Sequence, residues 1–225
     1  MWLPVHTQTT RPTPQSEAHS ALAGHALRIG LIGTTVAVSL WLALAWGTAA
    51  VPADKIPWYV VRSAGLVAYS LLWLSVILGL WISSGLTRKA NALLVALHEF
   101  TSLMALIMTF LHAVTLYLDA YLQPSWFEIW VPLAMTRYRP LAVGAGQIGL
   151  YLMVVIVLSF YMRPHIGARA WRWIHTLTFL LYGLVLIHAV TAGTDTDYRI
   201  VQGMYLATGG VVLFLTYVRA FTGRK

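Results

Sequence analysis

The sequence predicts an all-α integral membrane protein built as a bundle of six transmembrane helices. Hydrophobic residues make up 59% of the 225 residues and charged residues only 10%, and the mean hydropathy is +0.72. A soluble domain needs more charge on its surface than this. The apolar residues fall in stretches of about 20, which is the length of helix that crosses a bilayer core of about 30 Å. We therefore expect a lipid bilayer as the surroundings.

The chain begins with a polar segment and then alternates apolar spans with loops. Residues 1–27 are rich in Thr, Pro, Ser and His and contain no apolar run, so we expect a disordered cytoplasmic tail and no signal peptide. A membrane domain is predicted over residues 28–220, followed by a short basic end at 221–225. The predicted spans are Arg28–Ala50, Trp58–Ile82, Ala92–Leu118, Leu141–Met162, Trp171–Ala192 and Ile200–Ala220.

The loops predict the orientation of the protein. The one long connection, Asp119–Pro140, mixes Trp, acidic and Arg residues, which favours a short helix lying in the membrane interface. His165 is expected in a polar loop beside Pro164. Ten Lys and Arg residues fall on the side of both termini and five on the other. The positive-inside rule therefore predicts a multi-pass protein of the cell inner (cytoplasmic) membrane with both termini cytoplasmic. This bias explains the formal charge of +8, and no nucleic acid is expected as a partner.

Four of the eight histidines lie inside predicted spans, where an ionisable side chain is costly and indicates a functional site. His98 and His112 are 14 residues apart on the third span, and His175 and His188 are 13 apart on the fifth. The two histidines on each span are thus separated by about 20 Å along their helix. Because both spans cross in the same direction, His98 should lie level with His175, and His112 with His188. Two such pairs at two depths are what two stacked bis-histidine haems require.

Two further observations bear on this interpretation. The absence of cysteine excludes iron–sulfur clusters and covalent attachment of haem, so the expected cofactors are two non-covalent b haems. At 100° per residue, however, 13 residues leave His188 about 140° from His175 around the helix. The fifth helix must then tilt, deform near Gly183, or present its histidines to laterally offset rings. The alternative to haem ligation is that these histidines form hydrogen bonds between helices.

Arginines and glycines near the histidines are candidates for supporting roles. Arg62 and Arg172 are placed to meet haem propionates, Arg62 near His112 and Arg172, or its neighbour Arg169, near His175. A role in setting the topology explains Arg172 and Arg169 equally well. Glycines in the spans either leave room for flat porphyrin faces or let helices approach closely. They are Gly65, Gly79, Gly144, Gly146, Gly149 and Gly183, and close packing is preferred for the three on the fourth span.

Several motifs resemble the bacterial ferric reductase-like transmembrane domain family. They are R-S-A-G-L-V-A-Y at Arg62–Tyr69, Y-R-P-L at Tyr138–Leu141, R-A-W-R-W-I-H at Arg169–His175 and H-A-V-T-A-G-T-D-T at His188–Thr196, together with the histidine spacing. The resemblance covers about residues 28–220. That family is similar to the membrane domains of NADPH oxidases, eukaryotic ferric reductases and the haem subunit of the periplasmic methionine sulfoxide reductase system.

The resemblance implies a six-helix bundle in which two b haems pass single electrons across the membrane. It implies that His98 and His175 ligate the inner haem and that His112 and His188 ligate the outer one. The expected function is therefore that of a haem-b membrane subunit, an electron-transport component that conducts electrons between a cytoplasmic-side and an outer-side redox partner.

The expected partners follow from what the chain lacks. The larger relatives carry flavin and nicotinamide domains, whereas this sequence has no glycine-rich nucleotide fingerprint after a strand. We expect a separate flavoprotein, quinol or other redox subunit within a larger membrane complex, and an oxidoreductase whose substrate-converting domain lies elsewhere. The alternative is an accessory structural subunit of a membrane redox or photosynthetic complex in which haem is structural or absent. A transporter with a histidine proton relay is disfavoured, because no broken spans or inverted repeats are evident.

Overall fold

A computed structural model describes residues 35, 52–84 and 92–222, and in these ranges the protein is helical without strands. The helices are α1 (Ile56–Ser83), α2 (Ala92–Leu116), α3 (Trp126–Trp130), α4 (Pro140–Thr176), α5 (Thr178–Ala192) and α6 (Arg199–Thr222). Single 3₁₀ turns at Ala53–Lys55 and Thr194–Asp197 precede α1 and α6. The predicted first span, the tail and the basic end lie outside the described residues, apart from Thr35 and the positions up to 222.

Four stretches in the described ranges are long and apolar enough to cross a membrane: Ala53–Ser83, Ala92–Leu116, Pro140–Ala192 and Arg199–Phe221. The third has 53 residues and would extend about 80 Å if it were one straight helix. It folds back instead: Nδ1 of His188, near one end of the stretch, lies 2.9 Å from the carbonyl oxygen of Ala142, near the other end. The stretch therefore supplies two antiparallel passes, as predicted for the fourth and fifth spans, and the protein is an all-α, multi-pass membrane protein.

The bend between these two passes lies at Gly167. Its φ of 80° and ψ of 156° fall in a region of backbone space that is open mainly to glycine. Pro164, three residues earlier, has no N–H and removes one helical hydrogen bond. The chain is nevertheless helical on both sides of Gly167, so the prediction that His165 lies in a loop is wrong. The Ala and Arg residues that follow have high helix propensity, which favours a helix over a loop here.

Two antiparallel hairpins form the described bundle. α1 packs along α2, since Gly65 contacts the ring of His112 and Gly79 contacts the ring of His98. α4 packs against α5 in the same way, and α6 lies against α1. The five long helices share one core of buried side chains: Tyr69, Leu72, Val76, Leu80, Ala105, Met153, Ile156, Leu181, Tyr182, Tyr205 and Val212. The bundle thus holds α2 against the α4–α5 hairpin.

The connection between α2 and α4 contains the predicted short helix, α3. Ser125 caps it: its hydroxyl accepts from the N–H of Glu128 at 3.2 Å, and the Glu128 carboxylate accepts from the N–H of Ser125 at 2.8 Å. This backbone hydrogen bond, the Ser125 hydroxyl and the Arg137 guanidinium hold the pKa of the Glu128 carboxyl below its usual value. Nε2 of Gln147 donates to the carbonyls of Glu128 and Ile129 at 2.7 and 2.8 Å, which fixes α3 against α4.

Candidate functional site

The four membrane histidines form two pairs between α2 and the α4–α5 hairpin. The ring centroids of His98 and His175 are 6.0 Å apart with an angle of 79° between the planes. Those of His112 and His188 are 6.2 Å apart at 82°. These are the pairs that the spacing predicts. Because the two α2 members are 14 residues apart, the pairs lie about 20 Å apart along that helix.

The separation within each pair fits one metal ion between two imidazoles. An imidazole nitrogen lies about 2.0–2.1 Å from a metal that it binds and about 1.1 Å from its own ring centre, so two rings on opposite sides of one ion have centres about 6.3 Å apart. The observed 6.0 and 6.2 Å agree with this value. Two rings in edge-to-face contact also have centroids about 4.5–7 Å apart, so the hydrogen bonds of the rings must distinguish the two cases.

Three of the four rings are fixed through Nδ1 by a backbone carbonyl of the neighbouring helix. His98 donates to Ser75 at 2.8 Å, His112 to Val61 at 2.8 Å and His188 to Ala142 at 2.9 Å. A carbonyl only accepts, so Nδ1 carries the proton and Nε2 keeps its lone pair. Metal-binding histidines are held in this way, with one nitrogen on a backbone or carboxylate oxygen and the other on the metal. These three rings are therefore prepared as neutral ligands.

A glycine stands four residues after each of these carbonyls. The combinations are Val61 with Gly65, Ser75 with Gly79 and Ala142 with Gly146. In a helix, a carbonyl already accepts the N–H of the residue four positions ahead. The imidazole must then approach the carbonyl beside the Cβ of that residue, where glycine has none. An added Cβ would come within 3.0 Å of the ring of His112 at Gly65, 3.2 Å of His98 at Gly79 and 2.6 Å of His188 at Gly146.

These contacts answer the question that the sequence left open about the glycines. Gly65 and Gly79 make room for imidazole rings, and so does Gly146, for which close helix packing was preferred. Gly149 lets α4 and α5 approach closely, as expected, whereas Gly144 makes room for a side chain of the connection before α4. An added Cβ would meet the side chain of Leu133 at Gly144 and that of Val185 at Gly149.

His175 is held differently from the other three. Its ring stacks on Trp171, one turn earlier, with centroids 5.3 Å apart and an angle of 27°. Among the residues that the structure describes, its ring nitrogens have no hydrogen-bond partner. Just beyond it, the N–H of Leu177 bonds the carbonyl of Ile174 at 3.0 Å, which is a tighter turn than α-helix. The deformation that the 13-residue spacing requires thus lies at Leu177, whereas Gly183 is inside regular α5.

A cavity of about 310 Å³ surrounds the His112–His188 pair and extends to the surface. Arg62, the predicted propionate partner, stands at its mouth and forms an ion pair with Asp195. Its Nε donates to Oδ2 at 2.9 Å, its Nη2 contacts Oδ1, and its guanidinium carbon lies 4.0 Å from the ring centroid of Trp58. The role of Asp195 as partner was missed, although the residue lies in the motif after His188. Arg172, the other predicted propionate partner, is exposed.

Residues 56–195 match the model of a protein family described as "Domain of unknown function (DUF8596)". The matched segment is well over half of the chain. The chain belongs to this family. No curated protein and no solved structure matches it.

The DUF8596 segment coincides with the site. It begins at the first residue of α1 and ends at Asp195, so it contains both hairpins and the ion pair at the cavity mouth. All four paired histidines and the three supporting carbonyls and glycines lie within it. The part of the chain that defines the family is therefore the part that builds the two pairs.

Two tyrosines of the DUF8596 segment lie between the two histidine pairs. Tyr182 lies midway along the chain between His175 and His188, and its hydroxyl is 3.2 Å from that of buried Tyr69. The Tyr69 hydroxyl also lies 2.5 Å from Oγ1 of Thr208 on α6. Single buried tyrosines in apolar spans resemble ordinary core residues in sequence, so this cluster was not predicted. Its hydroxyls are mutually satisfied, and it fills the core between the two levels.

The donor set limits the chemistry that the pairs can support. No group of three or more His, Cys, Asp or Glu side chains able to hold a metal occurs in residues 52–84 and 92–222. Protein zinc sites take three or four such ligands. Two imidazoles on opposite sides of an ion suit a metal that arrives with its other ligands, as iron does in porphyrin. The residues present therefore fit a haem at each pair.

Proposed function

We propose that this protein is a haem-b membrane subunit that passes single electrons across the bilayer. His98 and His175 hold one non-covalent haem, and His112 and His188 hold the other. The observation that carries the proposal is the set of three Nδ1–carbonyl hydrogen bonds on rings that face a second ring at 6.0 or 6.2 Å. A purely structural role as hydrogen bonds between helices would explain each Nδ1–carbonyl contact, but it gives no reason for the rings to pair at two depths.

The side chains around each pair have separate tasks in this proposal. Haem supplies a one-electron iron couple when it is bound. The histidines position it, and the carbonyls of Val61, Ser75 and Ala142 fix the tautomer of three of them. The apolar core keeps water from the space between the pairs. At the mouth of the cavity, Asp195 holds Arg62 in place, and the guanidinium N–H groups that this carboxylate does not use would be available to a propionate next to His112.

The proposal places the protein in a chain of redox partners. On the predicted topology, the His98–His175 site lies towards the cytoplasm and the His112–His188 site towards the outside of the inner membrane. The resemblance to ferric reductase-like domains supports electron transport between these two sides. In this proposal a separate flavoprotein, quinol or other redox subunit exchanges electrons with the protein on one side of the membrane.

The test is the haem content of the purified protein and its variants. Expressed with haem available, the protein should show b-type absorption and hold two haems per chain. His98→Ala and His112→Ala should each lose one haem, because each removes one ligand of a different pair. His165→Ala is the matched control: His165 is exposed and pairs with no other histidine of residues 52–84 and 92–222, so both haems should remain.

Two results would contradict parts of the proposal. Absence of b-type bands, or full haem content in both His98→Ala and His112→Ala, would show that the pairs do not ligate haem. Haems that are present but keep one redox state while the native complex turns over would favour the accessory structural subunit.

A further inference from the structure

The two pairs differ in how firmly their members are held. At the His112–His188 pair, both rings donate Nδ1 to a backbone carbonyl, at 2.8 and 2.9 Å. At the other pair, His98 donates to Ser75, but His175 has no such bond in the described chain. One pair therefore has two supported ligands, and the other has a supported and an unsupported one.

The missing support has a local cause in the sequence of α4. Gly146 of α4 gives His188 access to a carbonyl. Thirteen or fourteen residues further along α4, where an antiparallel helix would face His175, stand Ser159 and Phe160 rather than a glycine. Every residue other than glycine places a Cβ beside the carbonyl four residues before it. Without a glycine, the ring of His175 rests on Trp171 instead.

The backbone that carries His175 is also interrupted on both sides. Residues 168–176 form a short helical segment between the positive φ of Gly167 and the tight turn at Leu177. His98 and His112, by contrast, lie within the unbroken α2, and His188 lies within α5. A short segment between two breaks moves more easily than a position inside a long helix. These two interruptions distinguish His175 from the other three histidines independently of the missing hydrogen bond.

An unused donor lies beside the same ring. Nε1 of Trp171 is buried without a hydrogen-bond partner. Among the side chains that the structure describes, the same is true only of Nε1 of Trp73. Buried N–H groups are paired in the great majority of cases, so an unpaired one calls for an explanation. Trp171 stacks directly on His175, and its indole N–H is available to a group that enters next to that ring.

We infer that His175 is the exchangeable ligand, and that the His98–His175 site binds a small neutral ligand such as carbon monoxide while the His112–His188 site does not. The inference rests on the proposed function. With haem bound, this exchange would break the bond from Nε2 of His175 to iron and form one from the incoming ligand to iron, with no transfer of electrons. Loss of the hydrogen bond that supports a metal-binding histidine weakens metal binding by about 10–100-fold. We expect the two sites to differ in carbon monoxide affinity by at least tenfold.

The test is a carbon monoxide titration of the dithionite-reduced, full-length protein, followed by absorption and flash photolysis. One of the two haems should form a photolysable adduct. The adduct should persist in His112→Ala, which keeps the unsupported site, and should be lost in His98→Ala. Gly65→Ala places a Cβ 3.0 Å from the His112 ring, so it should weaken the support of His112 and make the second haem bind carbon monoxide. Gly183→Ala, with nothing within 4 Å of the added Cβ, is the matched control.

The outcomes separate this inference from the proposed function. A protein without b-type haem would overturn both. The inference alone would be overturned if the protein holds two haems and neither binds carbon monoxide, or if both bind it with equal affinity. The titration of the unaltered protein is enough to show either result. Binding of carbon monoxide by a His98→Ala protein that holds only one haem would also overturn it, because the adduct would then belong to the supported pair.

Discussion

At the scale of single residues, the arrangement of a glycine four positions after a carbonyl decides which histidines are oriented. The same local pattern occurs twice on α1 and once on α4, and each time an imidazole from the next helix uses it. The pattern costs helix propensity, since glycine is about 1 kcal/mol less favourable than alanine within a helix. The glycines therefore lower the stability of the helix, and they allow the imidazole ring to be held in one orientation.

Gly146→Ala tests this role. The added Cβ would lie 2.6 Å from Nδ1 of His188, too close for the ring to remain in place. Overpacking of this kind typically costs about 1–3 kcal/mol, and we expect a lower melting temperature and loss of one haem. The melting temperature is measured by circular dichroism and the haem content by absorption. Gly183→Ala on the adjacent helix should keep both properties, and a Gly146→Ala protein that matches it would show that the glycine is not required.

Much of the site at this scale was predictable, and the rest was not for a physical reason. Four histidines stand out in sequence because ionisable residues are rare in spans, and their spacing along each helix fixes their depth. Their carbonyl partners belong to other helices and have no side-chain signature. Asp195 was visible only as an acidic loop residue, because its pairing with Arg62 depends on how α1 and the end of α5 meet. The ligand role of the histidines stays a prediction.

At the scale of elements, Gly167 separates the two passes of the apolar helical stretch Pro140–Ala192, which has 53 residues. The predicted spans agree with α1, α2 and α6 within a few residues, because long apolar runs set those bounds. The prediction failed around residues 163–170, where polar residues, a proline and a glycine indicated a loop. Helix propensity of the Ala and Arg residues keeps this segment helical, and the bend is confined to one residue.

Gly167→Ala tests the bend. At φ 80° and ψ 156°, a residue with a Cβ is strained by about 1–3 kcal/mol. We expect a corresponding loss of the free energy of unfolding, measured by denaturant titration in detergent micelles. Gly210→Ala in α6 is the control, since its added Cβ meets nothing within 4 Å, and it should be neutral or slightly stabilising. Equal stability of the two variants would mean that the bend does not depend on glycine.

At the scale of the whole molecule, the unequal number of Lys and Arg residues on the two sides of the membrane should give the protein one fixed orientation. Tyr121 is 87% exposed in the connection between α2 and α3, and His165 is exposed near the bend of α4, at the opposite end of that helix from this connection. The positive-inside rule places the first outside and the second in the cytoplasm. Neither residue belongs to the histidine pairs, although Tyr121 lines the cavity around His112 and His188.

Single-cysteine variants can test this orientation without background, because the chain has no cysteine of its own. A membrane-impermeant maleimide added to intact spheroplasts should label Tyr121→Cys and leave His165→Cys unlabelled until the membrane is permeabilised. The reverse pattern would invert the topology and exchange the inner and outer assignments of the two sites, with their geometry unchanged.

The ion pair at the cavity mouth also has a consequence for biosynthesis. Arg62 and Asp195 are 133 positions apart in the chain. At about 5–20 residues per second, the ribosome needs about 7–27 s to reach Asp195 after Arg62 has been made. For most of this interval the far wall of the cavity, with His188, has yet to be synthesised. The wall of the cavity is therefore complete only after the last residues of the DUF8596 segment have been synthesised, and we expect any occupant to be enclosed after that point.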